Sequence, residues 1–299
     1  MVLQNSQILF IFTPISRIVA TVDDSTMRIV ALVIATIALV TTILEVSLGA
    51  FPVSLFAAPL NLLVMLLWAL AVLYLYRSRA TSPVSRFLMG REATWLSLVA
   101  MAVVGVVLGL QRDPASDSWA VVVTLLFVMT HLALVILRGW RGAQGIRWRF
   151  VLLHVGLLVA LGAGFWGAPD REQLRLSVGS EPESVAYTMS GAERRLPYDI
   201  SLEEFNLEVA QSGVPTNYEA KVGIDGRSVV LRVNHPYSRT LAEKIYLVSH
   251  GTSPRGTEYV VLEVVREPWQ WLSAVGIVML IVGAVLLFVR GPKRGVDYE

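Results

Sequence analysis

Trp148–Gly167 reads WRFVLLHVGLLVALGAGFWG: twenty residues with one charge, Arg149, near the start and one histidine, His154, a third of the way along. As a helix at about 1.5 Å per residue it is long enough to cross a bilayer core of roughly 30 Å. The stretch therefore sets the class of the whole chain, and it raises a question of its own. An imidazole inside a lipid-embedded helix is expensive unless it faces a bundle interior, a cavity or a ligand.

The rest of the composition agrees with that class. Of 299 residues, 55% are hydrophobic and 16% charged, and the mean hydropathy is +0.60. Soluble domains carry about 25% charged residues, so the balance is that of a membrane protein. A net charge of +2 gives no sign of a nucleic-acid partner. Cysteine is absent, which excludes a CxxC thiol–disulfide exchanger, a disulfide-stapled exterior and covalent haem attachment through CxxCH in this chain.

Apolar runs of spanning length recur six times, at 28–48, 53–76, 93–111, 118–137, 148–166 and 269–290. Arg77, Arg79, Arg86 and Arg91 lie between the second and third; Arg138, Arg141, Arg147 and Arg149 lie between the fourth and fifth; Arg290, Lys293 and Arg294 follow or end the sixth. The other connections are nearly free of basic residues, with only Arg112 in QRDPASDS. By the positive-inside rule both termini are cytoplasmic and the segment between spans five and six is outside. The N-terminal run QILFIFTPISRIVATV is interrupted by Pro14 and Arg17 and lacks a cleavage site, which favours an interfacial segment over a signal peptide.

The expected division is a cytoplasmic N-terminal segment over 1–27, a five-span membrane region over 28–167, an exterior β domain over 168–267, and a sixth span with a basic tail over 268–299. In the exterior segment, LRLSV, SVAYTM, YDISL, NYEAKVGI, SVVLRVN, KIYLVSH and EYVVLEVV read as short strands between turn residues. IDGRS is an Asp-Gly hairpin signal between two of them. About seven antiparallel strands imply a sandwich or a curled sheet. The fold class is thus an α-helical polytopic membrane protein, six spans with both termini inside, carrying one extracytoplasmic all-β domain.

His154 alone leaves several readings open: a packed, hydrogen-bonded imidazole, a proton relay, or a ligand to metal or haem iron. His131 in the fourth span deepens the question. Each lies about six residues from the cytoplasmic end of its span, so both sit roughly 9 Å above that boundary on adjacent helices. Two imidazoles at one level could bracket an iron or pair through a water. Gly156, Gly162 and Gly164 form a small-residue stripe beside His154, suited to a flat macrocycle or, as commonly, to ordinary helix packing. Arg147 and Arg149 read better as topology-setting charge than as propionate partners. His235 and His250 in the exterior segment read as solvated, Glu45 carries no assigned role, and Trp269 and Trp271 read as interfacial anchors. The sequence shows no phosphate-binding loop, HExxH or Ser/His/Asp pattern.

In the exterior segment Leu196-Pro197-Tyr198, Glu204-Phe205, Tyr218 and Val233-Asn234-His235-Pro236 follow in order, then KIYLVSHG and an Arg-x-Pro (Arg266-Glu267-Pro268) leading into the last span. In these residues and their order the segment resembles the ResB/CcsB family of cytochrome c biogenesis proteins. The first span, STMRIVALVIATIALVTTILEVSLGAF, is similar as well. Two features depart from the family: five spans precede the exterior domain where three are common, and Leu247 follows Tyr246 where the family has Gln. The resemblance implies a non-catalytic subunit of a system II complex in the bacterial cytoplasmic membrane. With a ResC/CcsA-like membrane partner it would move haem outward and support its attachment to apocytochrome c. It also implies that His154 is a haem ligand, holding haem b transiently and shared with the partner; it gives no support for His131. The alternatives are an intrinsic b-type electron-transfer subunit with haem between His131 and His154, and a haem-free assembly scaffold.

Overall fold

The computed structural model describes residues 24–110, 117–143, 145–209, 215–254 and 256–290. The expected N-terminal interfacial segment and the basic tail after residue 290 lie outside them. The helices are α1 (Asp24–Leu48), α2 (Leu60–Arg77), the short α3 (Pro83–Leu88), α4 (Arg91–Leu110), α5 (Trp119–Gly139), α6 (Trp148–Gly167) and α7 (Gln270–Arg290). Among the described residues, five helical segments are long and apolar enough to cross a membrane: Leu60–Ala80, Arg91–Leu110, Trp119–Gly139, Trp148–Asp170 and Gln270–Val289. In α1 the apolar stretch among the described residues is the shorter Ile34–Leu48. Span two starts seven residues later than the apolar run does. Pro52 and Pro59 lack the amide hydrogen a helix interior needs, so Val53–Phe56 forms only a 3-10 turn before Leu60.

The chain forms two compact units. Among the described residues, the helical unit gathers those within 24–55, 62–161 and 278–290. Its packing is fastened at helix ends, where backbone groups lack intrahelical partners. Ser118 caps α5 through Val121 N, and Glu45 from α1 accepts the Trp119 amide at 3.0 Å, placing a carboxylate at a helix N-terminus. Glu45, without a role in the sequence, is a helix cap. Between α5 and α6 a two-residue ribbon, Arg141–Gly142 with Gly145–Ile146, makes the turn. The last span meets α6 closely at Gly283, where a Cβ would come within 2.9 Å of Leu153 Cγ.

The second unit gathers 56–61 and 162–277 and contains one antiparallel sheet of eight strands. These are β1 (Glu172–Val178), β2 (Glu183–Thr188), β3 (Glu193–Val209), β4 (Pro215–Ile224), β5 (Arg227–Arg232), β6 (Tyr237–Thr240), β7 (Glu243–Thr252) and β8 (Glu258–Arg266). The spatial order is β5-β4-β3-β2-β1-β8-β7-β6. The sheet curls until its two ends approach: Arg232 bridges His235, and Tyr218 Oη of β4 donates to Val248 O of β7 at 3.0 Å. Alternating residues fill the inside, including Leu174, Leu176, Val178, Ile200, Val222, Ile245, Leu262 and Val264. The Asp225-Gly226 turn closes β4 onto β5 with φ of 52° and 70°, the primed geometry expected of Asp-Gly.

Three chain passages are tied within this unit around Asp170. Its Oδ1 accepts Ala58 N at 2.7 Å, and Oδ2 accepts Asn61 Nδ2 and Trp269 Nε1, each at 2.7 Å. Gly167 lets the Trp269 ring approach, for a Cβ there would lie 2.6 Å from Trp269 Cβ. The indole of Trp269 thus has a specific partner beyond the interfacial anchoring read from the sequence.

Candidate functional site

His154 sits in the second turn of α6, half-buried. Its Nδ1 is 2.9 Å from Phe150 O, one turn back. A carbonyl oxygen only accepts, so Nδ1 carries the proton and Nε2 holds the free lone pair. The ring stacks on Phe150 with centroids 3.9 Å apart, and Phe150 packs over Gly139 at the end of α5. An imidazole whose second nitrogen donates to a backbone carbonyl is the arrangement common among metal-ligating histidines, because that bond fixes tautomer and ring orientation. Of the neighbouring cations, Arg147 lies over Phe150 at 5.0 Å and donates to Gly139 O at 3.3 Å.

His131 is held differently. It is 6% exposed, and both ring nitrogens are engaged: Nδ1 lies 2.7 Å from Leu88 O and Nε2 3.2 Å from Thr94 Oγ1. Nδ1 therefore donates and Nε2 accepts the threonine hydroxyl. Next to it, Arg138 donates to Met89 O at 2.6 Å. Leu88 and Met89 end α3, so His131 and Arg138 together satisfy carbonyls that a helix C-terminus leaves open. The two histidines make no hydrogen bond or ring contact with each other. For haem iron the donor sets differ: among the described residues His154 Nε2 has no hydrogen-bond partner, whereas at His131 the same atom is occupied.

The sequence reading missed a second cluster, in the β unit. Glu243, 6% exposed, accepts Tyr198 Oη at 2.8 Å, Arg266 Nε at 2.7 Å and Arg239 Nη1 at 3.2 Å. Arg239 also stacks over Tyr198 at 4.0 Å and pairs with Asp225, and Arg266 reaches Glu172, which Arg194 also approaches. Burial alone would raise the Glu243 pKa. The hydrogen bonds from Arg266 and Tyr198 and the two guanidinium charges outweigh burial and hold it below the usual carboxylate range. Tyr198 is pushed up, by burial first and then by the carboxylate it serves. The signal available in sequence was the Arg of Arg-x-Pro; its partner, 23 residues earlier, was not readable. His250 also departs from its reading: it is half-buried, with Phe205 and Tyr218 rings at 4.8 and 5.2 Å.

Apolar helices of spanning length with a curled antiparallel β unit inserted in sequence before the last of them define a class, a membrane protein whose chain carries one β domain. Within that class one family can be compared: residues 141–257, which cover α6 with His154 and the first seven strands, match the model of the ResB-like family. The match does not reach α1 or α7, whose likeness rests on their sequence alone. Comparison with curated proteins gives no match. The family likeness points to cytochrome c biogenesis.

Proposed function

We infer that this chain is the ResB-like subunit of a complex that moves haem across the bacterial cytoplasmic membrane and supports its covalent attachment to apocytochrome c. A ResC/CcsA-like membrane protein is its partner, the chain is non-catalytic alone, and the β domain lies outside. The arginine and lysine distribution supports both termini cytoplasmic, with α1 as a sixth span beside the five longer helices. The observation that carries the reading is the Nε2 of His154, left free by the Nδ1 bond to Phe150 O. His154 would hold the haem iron from one side, with the ring kept in place by Phe150, and the partner would supply the opposing ligand. An intrinsic b-type subunit using both histidines is disfavoured by the Thr94 bond, since ligation by His131 would require that hydroxyl to leave.

The test is His154→Ala in the partnered complex. Copurifying haem and holocytochrome should both be lost, and added imidazole should restore part of each by filling the vacated coordination position. Full haem retention in that variant would remove the ligand assignment. Loss of haem from His131→Ala purified without a partner, as complete as from His154→Ala, would make the b-type reading correct.

A further inference from the structure

A second imidazole in this chain is presented for ligation, in the β unit. In β7 the inward side chains are Glu243, Ile245 and Leu247, so simple alternation would send Ser249 inward and His250 out. The strand does not alternate simply. Leu262 pairs with Leu247 but Val261 pairs with Ser249, which makes Val248 an extra residue, a β-bulge. Beyond it His250 pairs with Val260, which is fully buried, and paired residues share a face. The bulge turns His250 to the inner face of the sheet. Bulges recur where a side chain must be re-aimed beside a functional site.

The surroundings fit a particular ligand chemistry. Phe205 and Tyr218 flank the imidazole at 4.8 and 5.2 Å. Tyr218 is fixed by its hydroxyl bond to the carbonyl of Val248, so the bulge also sets the aromatic wall. Leu207, two residues beyond Phe205 on the same face and paired with Tyr218, is 41% exposed. Leu207 thus extends the inner face of the β3–β4 hairpin beyond Phe205 with an exposed apolar side chain. Neither ring nitrogen of His250 has a hydrogen-bond partner among the described residues. Among those residues, no group of three histidine, cysteine or carboxylate side chains is placed to hold a bare metal ion. A single nitrogen donor beside aromatic and aliphatic side chains suits a metal that brings its other ligands in a flat ring.

We propose that His250, with Phe205, Tyr218 and Leu207, is a metalloporphyrin site on the β domain, separate from His154, where His250 supplies an axial nitrogen to haem iron. The proposal rests on the reading that this chain handles haem, and assigns the β domain its own contact with that cargo.

The full chain in detergent is titrated with hemin, following the Soret band against empty micelles. Variants are His250→Phe, which keeps an aromatic ring and removes the donor, His250→Met, which substitutes a sulfur donor, and His154→Ala. Expected is loss of one hemin site in His250→Phe while His154→Ala retains that site, and retention with a shifted Soret band in His250→Met. Circular dichroism and the thermal midpoint of His250→Phe verify its fold; should it fail to fold, the His250→Met spectrum decides. A wild-type titration for folded His250→Phe, or an unshifted band in His250→Met, overturns the proposal. Loss of all hemin binding in His154→Ala also overturns it, because the sites would then not be separate. If His250→Phe loses a site and His154→Ala changes nothing, the β-domain site stands and the His154 assignment falls.

Discussion

Three histidines in this chain differ in which nitrogen is left over. His131 has none free, His154 has Nε2, and neither ring nitrogen of His250 is engaged within the described residues. Residue type and membrane depth alone did not separate the first two; the hydrogen bonds do. Glu243 shows the same dependence on partners. It is buried with two guanidinium groups and a tyrosine hydroxyl around it, so Glu243→Gln would leave Arg239 and Arg266 without their shared charge. Removing one member of a buried pair costs about 3 kcal/mol, and the thermal midpoint of the β unit should fall accordingly. Tyr198→Phe, which removes one hydrogen bond, should cost about 1 kcal/mol. The pH dependence follows in sign. Because the folded pKa of Glu243 is lowered, its contribution is fully present above the ordinary glutamate value of about 4.3 and is lost as pH falls through the lowered value. Acid titration of wild type and Glu243→Gln should therefore converge only once pH has fallen through that lowered folded value, below the ordinary glutamate range. A Glu243→Gln midpoint equal to wild type at neutral pH would show that the network contributes nothing net.

At the scale of elements, the hairpin of α5 and α6 is what holds the His154 ring. Gly139 admits Phe150: a Cβ would lie 2.7 Å from Phe150 Cζ, closer than real Cβ contacts allow. Gly139→Ala should push that ring aside and remove the surface on which His154 stacks, lowering haem recovery from the partnered complex while every ligand remains. Unchanged recovery in Gly139→Ala would mean that the stacking has no part in positioning. Much at this scale is readable in sequence. The five longer spans, the Asp-Gly hairpin and most strands follow from apolar runs, period-two alternation and turn residues. What was not readable has physical causes. Strand β3 begins at Glu193, inside a charged, turn-like stretch, because pairing with β2 outweighs local composition. Strand β6 is only four residues, too short to show a period. The Val248 bulge is set by pairing with β8, and the role of His131 by carbonyls 43 residues earlier in the chain. The ligand candidate in α6 was legible as an unusual residue in an apolar run; the free nitrogen that distinguishes it was not.

At the scale of the whole molecule, the proposal needs an orientation and a partner. Reporter fusions after Arg79, Arg141 and Lys293 should report the cytoplasm, and one within 180–260 the exterior, because the basic residues cluster in alternate connections. A cytoplasmic signal from the last fusion would reverse the direction of haem movement. The resemblance implies a ResC/CcsA-like partner, and the ligand count at His154 agrees with one. His154 has one free nitrogen, which supplies one axial position of the two that a six-coordinate haem iron uses. Expressed alone in a strain without other biogenesis systems, the chain should therefore yield no holocytochrome. Co-expression with a ResC/CcsA-like protein should restore it, and His154→Ala should abolish the restored signal. Covalent haem staining of a reporter cytochrome c in the three strains is the measurement. A stained band from the chain alone would show that it completes attachment by itself, and the subunit reading would have to be given up.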